Sequence, residues 1–215
     1  MAADLEHREL HYQDETHLET NPYLCRVWHR KGQQPKLPAA GTNRRVTAFG
    51  SVEAFGRGRV EVVCAAQDSA AFQLYLEALD ARHRATGREV ELVLDHGPCP
   101  TSVTSRAALT ERADWVHITW LAKYSPELNP IEREWRTLKR DVRSHLARSL
   151  RAFVDEILDG LRCLGGERLD IVDRVPDWFI AGHRKPPTGR PVGRPTGAKD
   201  SYRRIVRRKN LAAAA

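Results

Sequence analysis

Three acidic residues stand where a folded chain can bring carboxylates together. Asp14 ends a run of strand composition, Asp95 ends an apolar run, and Glu132 lies in the first turn of a predicted helix. When runs of this kind pair as strands of one sheet, the ends of the strands form a crevice in which ligands bind. Carboxylates gathered there repel one another unless a divalent cation lies between them, and Mg²⁺ prefers such hard oxygen ligands. Two such ions, roughly 3.5–4 Å apart, can stabilise the attacking and the leaving oxygen of phosphodiester cleavage.

Two of these acids also have a purely structural interpretation. Asp95 is followed by His96 and Gly97, and an Asp before Gly is typical of a turn. Asp14 competes with its neighbour Glu15 for the same role, and both could instead form a solvated pair in a loop. The residue types alone leave these alternatives open.

The third acid is explained equally well by helix capping. Asn129 is a good N-cap, Pro130 suits the first helical position, and Glu132 is then the third residue of a capping box. Glu127 precedes the cap, and Glu134 lies away from Glu132 on the helix surface. Both are therefore weaker candidates than Glu132 for a role in chemistry. Capping alone would account for Asn129 and Glu132 without any metal.

The elements around these acids begin with runs of strand composition. Four of the runs lie close together in the sequence, so short connections favour antiparallel pairing. Two later runs are apolar, follow predicted helices, and are typical of buried strands reached by a crossover. The six predicted strands lie within 9–15, 25–32, 43–56, 57–66, 88–97 and 115–121.

Helical periodicity separates and follows the later strands. Phe72, Leu76 and Leu79 share one helical face, with Asp68 as a plausible N-cap and Gly87 as a stop. The predicted helices are 69–86, 101–114, 130–147 and 150–166, and the third has an apolar stripe of Ile131, Trp135, Leu138, Val142 and Leu146. This order of elements predicts an α/β fold with a mixed sheet flanked by helices, as in the ribonuclease H fold.

The formal net charge of +7 over 215 residues is concentrated near the C-terminus. From His183 to Asn210, ten Lys and Arg face one acid, so this segment carries +9 and the rest of the chain sums to about −2. A confined basic block is typical of binding to an anionic polymer such as nucleic acid, or of a solubilising tail. We therefore expect a folded domain at 1–165, a linker at 166–182 and a disordered basic tail at 183–215.

Cysteine usage and hydropathy exclude several classes of protein. The four cysteines are far apart and form no C-x-x-C pair, which argues against a zinc ribbon and a disulfide framework. No apolar run is long enough to span a membrane, and the first residues have no hydrophobic signal core. A cytoplasmic protein with reduced thiols is expected.

Three segments carry a family resemblance. "YSPELNPIEREWRTLKR" closely resembles the signature of DDE transposases in the mariner superfamily, with the bacterial insertion-sequence 630 family as the nearest branch. "QDETHLETNPYLCRVWHRKGQQPKLPAAGTNRRVTAFGSV" is similar to the first catalytic block of that family, and "ELVLDHGPCPTS" to the second. The resemblance covers about residues 8–150, in the order of the family.

The resemblance implies a ribonuclease H-like DDE catalytic domain with Asp14, Asp95 and Glu132 as its triad. Thirty-six residues separate Asp95 from Glu132, within the range typical of this branch. The triad would hold two Mg²⁺ ions, with Mn²⁺ as a substitute. The implied reaction is metal-dependent DNA cleavage at the ends of an insertion sequence, followed by attack of the freed 3′-hydroxyl on target DNA.

The chain also departs from the family pattern. His96 stands where the family usually has Asn, and "LAKYSP" replaces the more common "LPPYSP", which is expected to change loop stiffness and not chemistry. We expect this chain to lack the N-terminal helix-turn-helix region that is usual in the family, with that region encoded separately as a partner. The alternative is a truncated, catalytically inactive transposase remnant that only binds DNA.

The basic tail is the predicted general DNA contact. Two Gly-Arg-Pro units, at 189–191 and 193–195, resemble the core of an AT-hook, in which Arg lies in the minor groove. Contacts to phosphates are expected to depend strongly on salt. The resemblance further implies a homodimer assembled on element ends and target DNA, in the cytoplasm and associated with the nucleoid. The predicted DNA-binding residues of the tail are Arg190, Arg194, Arg203, Arg204, Arg207, Arg208 and Lys209.

Overall fold

One six-stranded sheet, flanked by helices on both faces, forms the frame of the fold. The computed structural model describes residues 8–21, 28, 30–33, 43–123, 125–142 and 149–182. All of them belong to the first of two compact units, which ends at His183. The strands are β1 (Arg8–Glu19), β2 (Arg45–Glu53), β3 (Arg59–Cys64), β4 (Glu89–Leu94), β5 (Val116–Trp120) and β6 (Ile171–Arg174).

The helices alternate with the later strands, as the sequence predicts. A short 3-10 turn, Pro126–Leu128, precedes the fourth helix. The helices are α1 (Ser69–Thr86), α2 (Pro98–Thr101), α3 (Val103–Thr110), α4 (Ile131–Val142), α5 (Leu150–Cys163) and α6 (Asp177–Ile180).

The strand order is β5-β4-β1-β2-β3-β6. β1, β2 and β3 are antiparallel neighbours, whereas β4 runs parallel to β1, and β5 runs parallel to β4. The first three strands are thus a meander, and the two later strands return by helical crossovers to the other side of β1. This mixed sheet flanked by helices confirms the predicted ribonuclease H-like α/β fold.

The long helix α1 begins and ends where the sequence predicts. The Asp68 carboxylate accepts a hydrogen bond from the Ala71 N–H, which satisfies one free donor of the first turn. Gly87 ends the helix in the left-handed region at φ 67° and donates its N–H to the His83 carbonyl. The predicted face of Phe72, Leu76 and Leu79 is fully buried.

Two hydrophobic clusters, one on each face of the sheet, hold the layers together. α1 and α3 pack on one face over residues such as Phe49, Val62 and Leu92. α4 and α5 pack on the other face, where Trp135 and Ile157 meet Ala48 and Val63 of the sheet. In α4 the predicted apolar stripe is confirmed for Ile131, Trp135, Leu138 and Val142, which are all buried; Leu146 and the predicted end of this helix lie outside the described residues.

Two predictions about the strands require correction. β1 does not end at Asp14 but continues to Glu19, because its second half still pairs with β2 down to Arg45. β5 is not a buried strand: it lies at the edge of the sheet, and Trp120 at its end is 37% exposed. The predicted strand at 25–32 falls largely outside the described residues.

The segment 166–182, predicted as a linker, contains regular secondary structure instead. It contains β6, which pairs in parallel with β3 from Glu61↔Ile171 to Cys64↔Arg174. It also contains α6. Ile171 and Val175 are buried on the face of the sheet that α5 covers, and their burial holds the segment in place. The strand could not be predicted from the sequence, because two apolar residues in so short a run give no periodic signal.

The three described cysteines, Cys64, Cys99 and Cys163, are free thiols. No described helix is long and apolar enough to cross a membrane.

Candidate active site

The parallel pairing of β1 with β4 brings the first two acids side by side. The last pair of this ladder is Tyr12↔Val93, so continuing the register by two residues sets Asp14 beside Asp95. Neighbouring strands lie about 4.8 Å apart. β4 ends just before Asp95 while β1 runs on, and the crevice opens at this point of divergence.

Asp95 also takes part in the turn that the sequence allows. Its Oδ1 accepts a hydrogen bond of 2.8 Å from the N–H of Gly97, two residues on. This bond holds the carboxylate at the end of β4 and occupies only one of its two oxygens. The turn interpretation and the ligand interpretation of Asp95 are therefore compatible.

Glu132 is positioned by Asn129, through a contact that the sequence did not predict. The Asn129 side chain donates an N–H to the backbone carbonyl of Gln13, at 3.0 Å, next to Asp14. Its Oδ1 accepts weakly from the N–H of Ile131, at 3.4 Å, as an N-cap does. The buried Asn129 thus fastens the start of α4 to β1.

The second half of the predicted capping box is not formed. Among the described residues, the Asn129 N–H donates no hydrogen bond to the Glu132 carboxylate. The cap formed by Asn129 therefore does not engage the Glu132 carboxylate in a hydrogen bond. This carboxylate lines the same cavity as Asp14 and Asp95.

Gly50 sets how closely α4 approaches the sheet. Gly50 belongs to β2 and pairs with Asp14 of β1, and a Cβ added to Gly50 would lie 2.7 Å from the ring of Trp135. Trp135 follows Glu132 by three residues, so both lie on neighbouring positions of the helix. The absence of a side chain at Gly50 lets Trp135 rest directly on β2, beside the strand that carries Asp14.

These residues enclose a cavity of about 640 Å³. Asp14, Asp95 and Glu132 all line it, so the structure brings the three predicted acids to one site. The remaining lining comes from β4 onward and from the loop before α4: His96, Gly97, Thr101, Arg106, Leu121, Ala122, Lys123, Ser125 and Asn129.

The electrostatics of the cavity favour a cation. Burial, together with the negative charges of Glu15, Glu132 and Asp95, raises the pKa of Asp14 to about 7. Glu15, the competing acid, does not line the cavity; burial raises its pKa as well, and its carboxylate accepts a hydrogen bond from Gln67. Of these two neighbouring acids, Asp14 is thus the one that lines the cavity together with Asp95 and Glu132.

The donor set fits a hard divalent cation in its chemistry. Carboxylate oxygens that repel one another in a partly buried site are the ligands that Mg²⁺ prefers. In the described part of the chain, however, no three His, Cys, Asp or Glu side chains are gathered closely enough to surround one ion. Asp14, Asp95 and Glu132 share a cavity in this structure without forming a closed ligand cage.

His96 stacks on Trp120, with ring centroids 5.3 Å apart and planes at 20°. Both lie at the ends of the neighbouring strands β4 and β5, so the aromatic pair joins these strands at the rim of the cavity. Lys123 also lines the cavity, a placement that no sequence pattern predicted. The predicted DNA-binding residues of the tail, from Arg190 to Lys209, lie outside the described residues.

Comparison with known proteins settles the family. The sequence pattern of the DDE superfamily endonuclease family matches residues 9–154, a span that includes Asp14, Asp95 and Glu132. The chain belongs to the DDE superfamily endonuclease family. This confirms the resemblance found in the three sequence segments.

A curated relative and two solved structures are similar to this chain. The Insertion element IS630 uncharacterized 39 kDa protein of Shigella sonnei is 28% identical over 141 residues, which cover 65% of this chain and 40% of that protein. This chain therefore spans well under half the length of that relative. The Mos1 transposase in its paired-end complex with the left transposon end has a TM-score of 0.44 and 17% identity, over 73% of this chain and 52% of that one. A simian T-cell lymphotropic virus intasome in complex with PP2A regulatory subunit B56 gamma has a TM-score of 0.47 and 16% identity, over 89% and 60%.

Proposed function

We propose that this chain is the catalytic domain of a transposase that cuts and joins DNA. The observation that carries the proposal is the convergence of Asp14, Asp95 and Glu132 on one cavity at the divergence of β1 and β4. The raised pKa of Asp14 supports it, because a cation next to this buried carboxyl group would favour its ionised form.

Each acid has a place in the proposed site. Asp14 and Asp95 would hold divalent cations from the sheet, and Glu132 would complete the ligand set from the first turn of α4. When bound, two Mg²⁺ or Mn²⁺ ions would supply Lewis-acid stabilisation of the oxygens that enter and leave the phosphorus. Asn129 would keep Glu132 in reach of Asp14 through its bond to the Gln13 carbonyl.

The proposed chemistry needs no covalent bond between protein and DNA. Attack by water on a backbone phosphate would break the bond to the 3′ oxygen and leave a 3′-hydroxyl and a 5′-phosphate. That 3′-hydroxyl would then attack a phosphate of target DNA and release the target's own 3′-hydroxyl. The carboxylates of the chain would remain ligands of the cations throughout both steps, since a carboxylate and a phosphate are both anions and repel one another.

DNA is the proposed partner, as element ends and as target. Two copies of the chain would assemble on the DNA, since an element has two ends and each end is joined to the target by its own strand transfer. The tail residues from Arg190 to Lys209 would add contacts to phosphates that do not depend on sequence.

Nicking of supercoiled plasmid by the purified full chain tests the proposal. The assay compares Mg²⁺, Mn²⁺ and chelator, and it compares the unaltered chain with Asp14→Asn, Asp95→Asn and Glu132→Gln. We expect nicking that requires the metal and falls at least a hundredfold in each variant, because each removes a charged ligand. Glu127→Gln is the matched control, since Glu127 is an exposed acid just before α4 that does not line the cavity.

Two other results would count against the proposal. Equal nicking by all variants would show that a contaminating nuclease causes it. Binding of DNA that weakens with salt, without any nicking, would favour the second candidate, a catalytically inactive chain that only binds DNA. The open arrangement of the acids in the described residues is the observation that favours this second candidate.

A further inference from the structure

The cavity that contains the three acids also has two cations on its lining. Arg106 comes from α3, and Lys123 comes from the loop that leads from β5 toward α4. Both side chains are exposed. Opposite charges that line one cavity can form ion pairs and so neutralise one another.

They do not neutralise one another here. Neither Arg106 nor Lys123 forms an ion pair or a side-chain hydrogen bond with any other described residue, although three carboxylates line the same cavity. Elsewhere in the described chain, arginines commonly have a carboxylate partner. Examples are Arg8, Arg45, Arg59, Arg82, Arg112, Arg151, Arg162 and Arg168.

The backbone that carries each cation is fixed by hydrogen bonds. The Arg106 N–H donates to the Ser102 carbonyl at 2.9 Å, and the Ser102 hydroxyl caps α3 by accepting from the N–H of Ser105. On the other side, the Leu121 N–H donates to the Leu94 carbonyl at 2.9 Å, two residues before Lys123. The cations thus extend from anchored backbone into a cavity whose acids they do not contact.

A phosphate of the DNA backbone is the ligand that fits this arrangement. Guanidinium binds phosphate with two parallel N–H donors, and ammonium binds it as a point charge. With divalent cations on the carboxylates, the non-bridging oxygens of a neighbouring phosphate would still need positive partners. Arg106 and Lys123 are the two described cations that line the cavity.

We propose that Arg106 and Lys123 bind the DNA phosphates next to the scissile bond and so position the substrate against the acids. This proposal rests on the proposed function, because it takes DNA to be the substrate of the cavity. It assigns chemistry to Lys123, in the "LAKYSP" segment, whose sequence predicts only a change in loop stiffness. Arg106 and Lys123 are positioning residues in this scheme.

Equilibrium binding of a short fluorescent DNA duplex across a salt series tests the proposal. The full chain is used with Mg²⁺ in the Glu132→Gln background, so that binding is read without cleavage. Arg106→Ala and Lys123→Ala should each weaken binding roughly tenfold, the loss expected of one hydrogen bond to a charged group. Each should also reduce the slope of log affinity against log salt by about 0.9, the value for one phosphate that is no longer neutralised.

Arg84→Ala is the matched control, because Arg84 is an exposed cation of α1 that does not line the cavity. Lys123→Arg and Arg106→Lys keep the charge and should retain most of the affinity. If Arg106→Ala and Lys123→Ala change affinity and salt slope no more than Arg84→Ala does, the proposal is wrong.

Plasmid nicking separates this outcome from failure of the proposed function. Metal-dependent nicking by the unaltered chain, together with unchanged DNA binding in both cation variants, would support the proposed function. It would contradict phosphate binding by Arg106 and Lys123. Absence of nicking, with the salt slope reduced as expected in Arg106→Ala and Lys123→Ala, would support phosphate binding by these two residues. It would contradict the proposed cleavage of DNA.

Discussion

A single amide links the two halves of the candidate site. Asn129 is separated from Gln13 by 116 positions in the sequence, yet its side chain donates to the carbonyl next to Asp14. Capping alone would be served as well by Ser or Asp, which have no N–H₂ group to donate. The donor side of the amide is therefore what ties α4 to β1.

We expect Asn129→Ala to reduce nicking and to lower the free energy of unfolding by about 1–2 kcal/mol, since the variant has neither the cap nor the buried hydrogen bond. Chemical denaturation and plasmid nicking measure the two effects. Ser149→Ala is the matched control, because Ser149 caps α5 by accepting from the Ala152 N–H and does not line the cavity. It should cost a similar free energy and leave nicking unchanged. A reduction of nicking in Ser149→Ala as large as in Asn129→Ala would assign the effect to general instability.

Glu9, near the start of β1, is the centre of a buried polar network. Its carboxylate accepts hydrogen bonds from Arg82, at 2.6 and 2.9 Å, and lies 3.0 Å from the ring nitrogen of His11. Burial raises the pKa of Glu9, but the hydrogen bonds and charges of His11 and Arg82 outweigh burial and lower it to about 2. Because the folded pKa is below the unfolded one, Glu9 stabilises the fold above pH 4.5 and loses this contribution as the pH falls toward 2.

The difference in stability between the unaltered chain and Glu9→Gln should therefore depend on pH. At pH 7 the variant should lose about 3 kcal/mol of unfolding free energy, the value of the pKa difference. Below pH 4.5 this gap should narrow, because a protonated Glu9 and a Gln are alike in charge and shape. Urea denaturation at a series of pH values measures the gap. A gap that stays constant from pH 7 to pH 3 would show that Glu9 is not held ionised by this network.

At the scale of elements, the packing of α4 on the sheet decides where Glu132 lies. Gly50 has no side chain, and Trp135 occupies the space above it. Gly50→Ala would push the Trp135 ring away from β2, since a Cβ at 2.7 Å is closer than packing allows. We expect the unfolding free energy to fall by about 1–3 kcal/mol and nicking to be reduced, as α4 carries Glu132 with it.

A second substitution tests whether this close approach is the cause. The ring atoms nearest to Gly50 are Cη2 and Cζ2 of Trp135, which Phe lacks. Trp135→Phe should therefore lessen the cost of Gly50→Ala, so the double variant should be more stable than the sum of the single effects predicts. Additive effects in denaturation would place the strain of Gly50→Ala elsewhere.

Long periodic elements could be predicted from the sequence, and short or edge elements could not. The face of α1 and the stripe of α4 repeat over several turns, so their periods and caps were sufficient. β6 has only four residues, and its place in the sheet depends on β3, more than a hundred residues earlier. The edge position of β5 likewise depends on strand order, which no local pattern contains.

The three acids that line the cavity could be singled out from the sequence, and the rest of the lining could not. Asp14, Asp95 and Glu132 stand at recognisable points of the chain, within or beside elements that carry a specific sequence pattern. The Asn129–Gln13 bond and the placement of Arg106 and Lys123 arise from contacts between distant segments. The sequence predicts Asn129 only as a cap, because its local role masks its tertiary one.

At the scale of the whole molecule, charge and fold are divided along the chain. The unit that ends at His183 contains both hydrophobic clusters of the described residues, and the chain outside the basic segment sums to about −2. DNA would thus meet a body with little net attraction and a tail with strong attraction. Association should be governed by the tail, and placement on the acids by the cavity.

Neutralising the tail tests this division. Replacing Arg203, Arg204, Arg207, Arg208 and Lys209 by Gln should weaken DNA binding and reduce the salt slope by up to about 0.9 for each phosphate that the tail no longer neutralises. The midpoint of thermal unfolding should stay the same, because both hydrophobic clusters belong to the unit that ends at His183. Arg190→Gln with Arg194→Gln should instead remove any preference for A·T-rich over G·C-rich DNA, if these residues enter the minor groove. An unchanged salt slope in the five-residue variant would mean that DNA binds to the body of the chain, and the cations of the candidate site would then have to account for all of the binding.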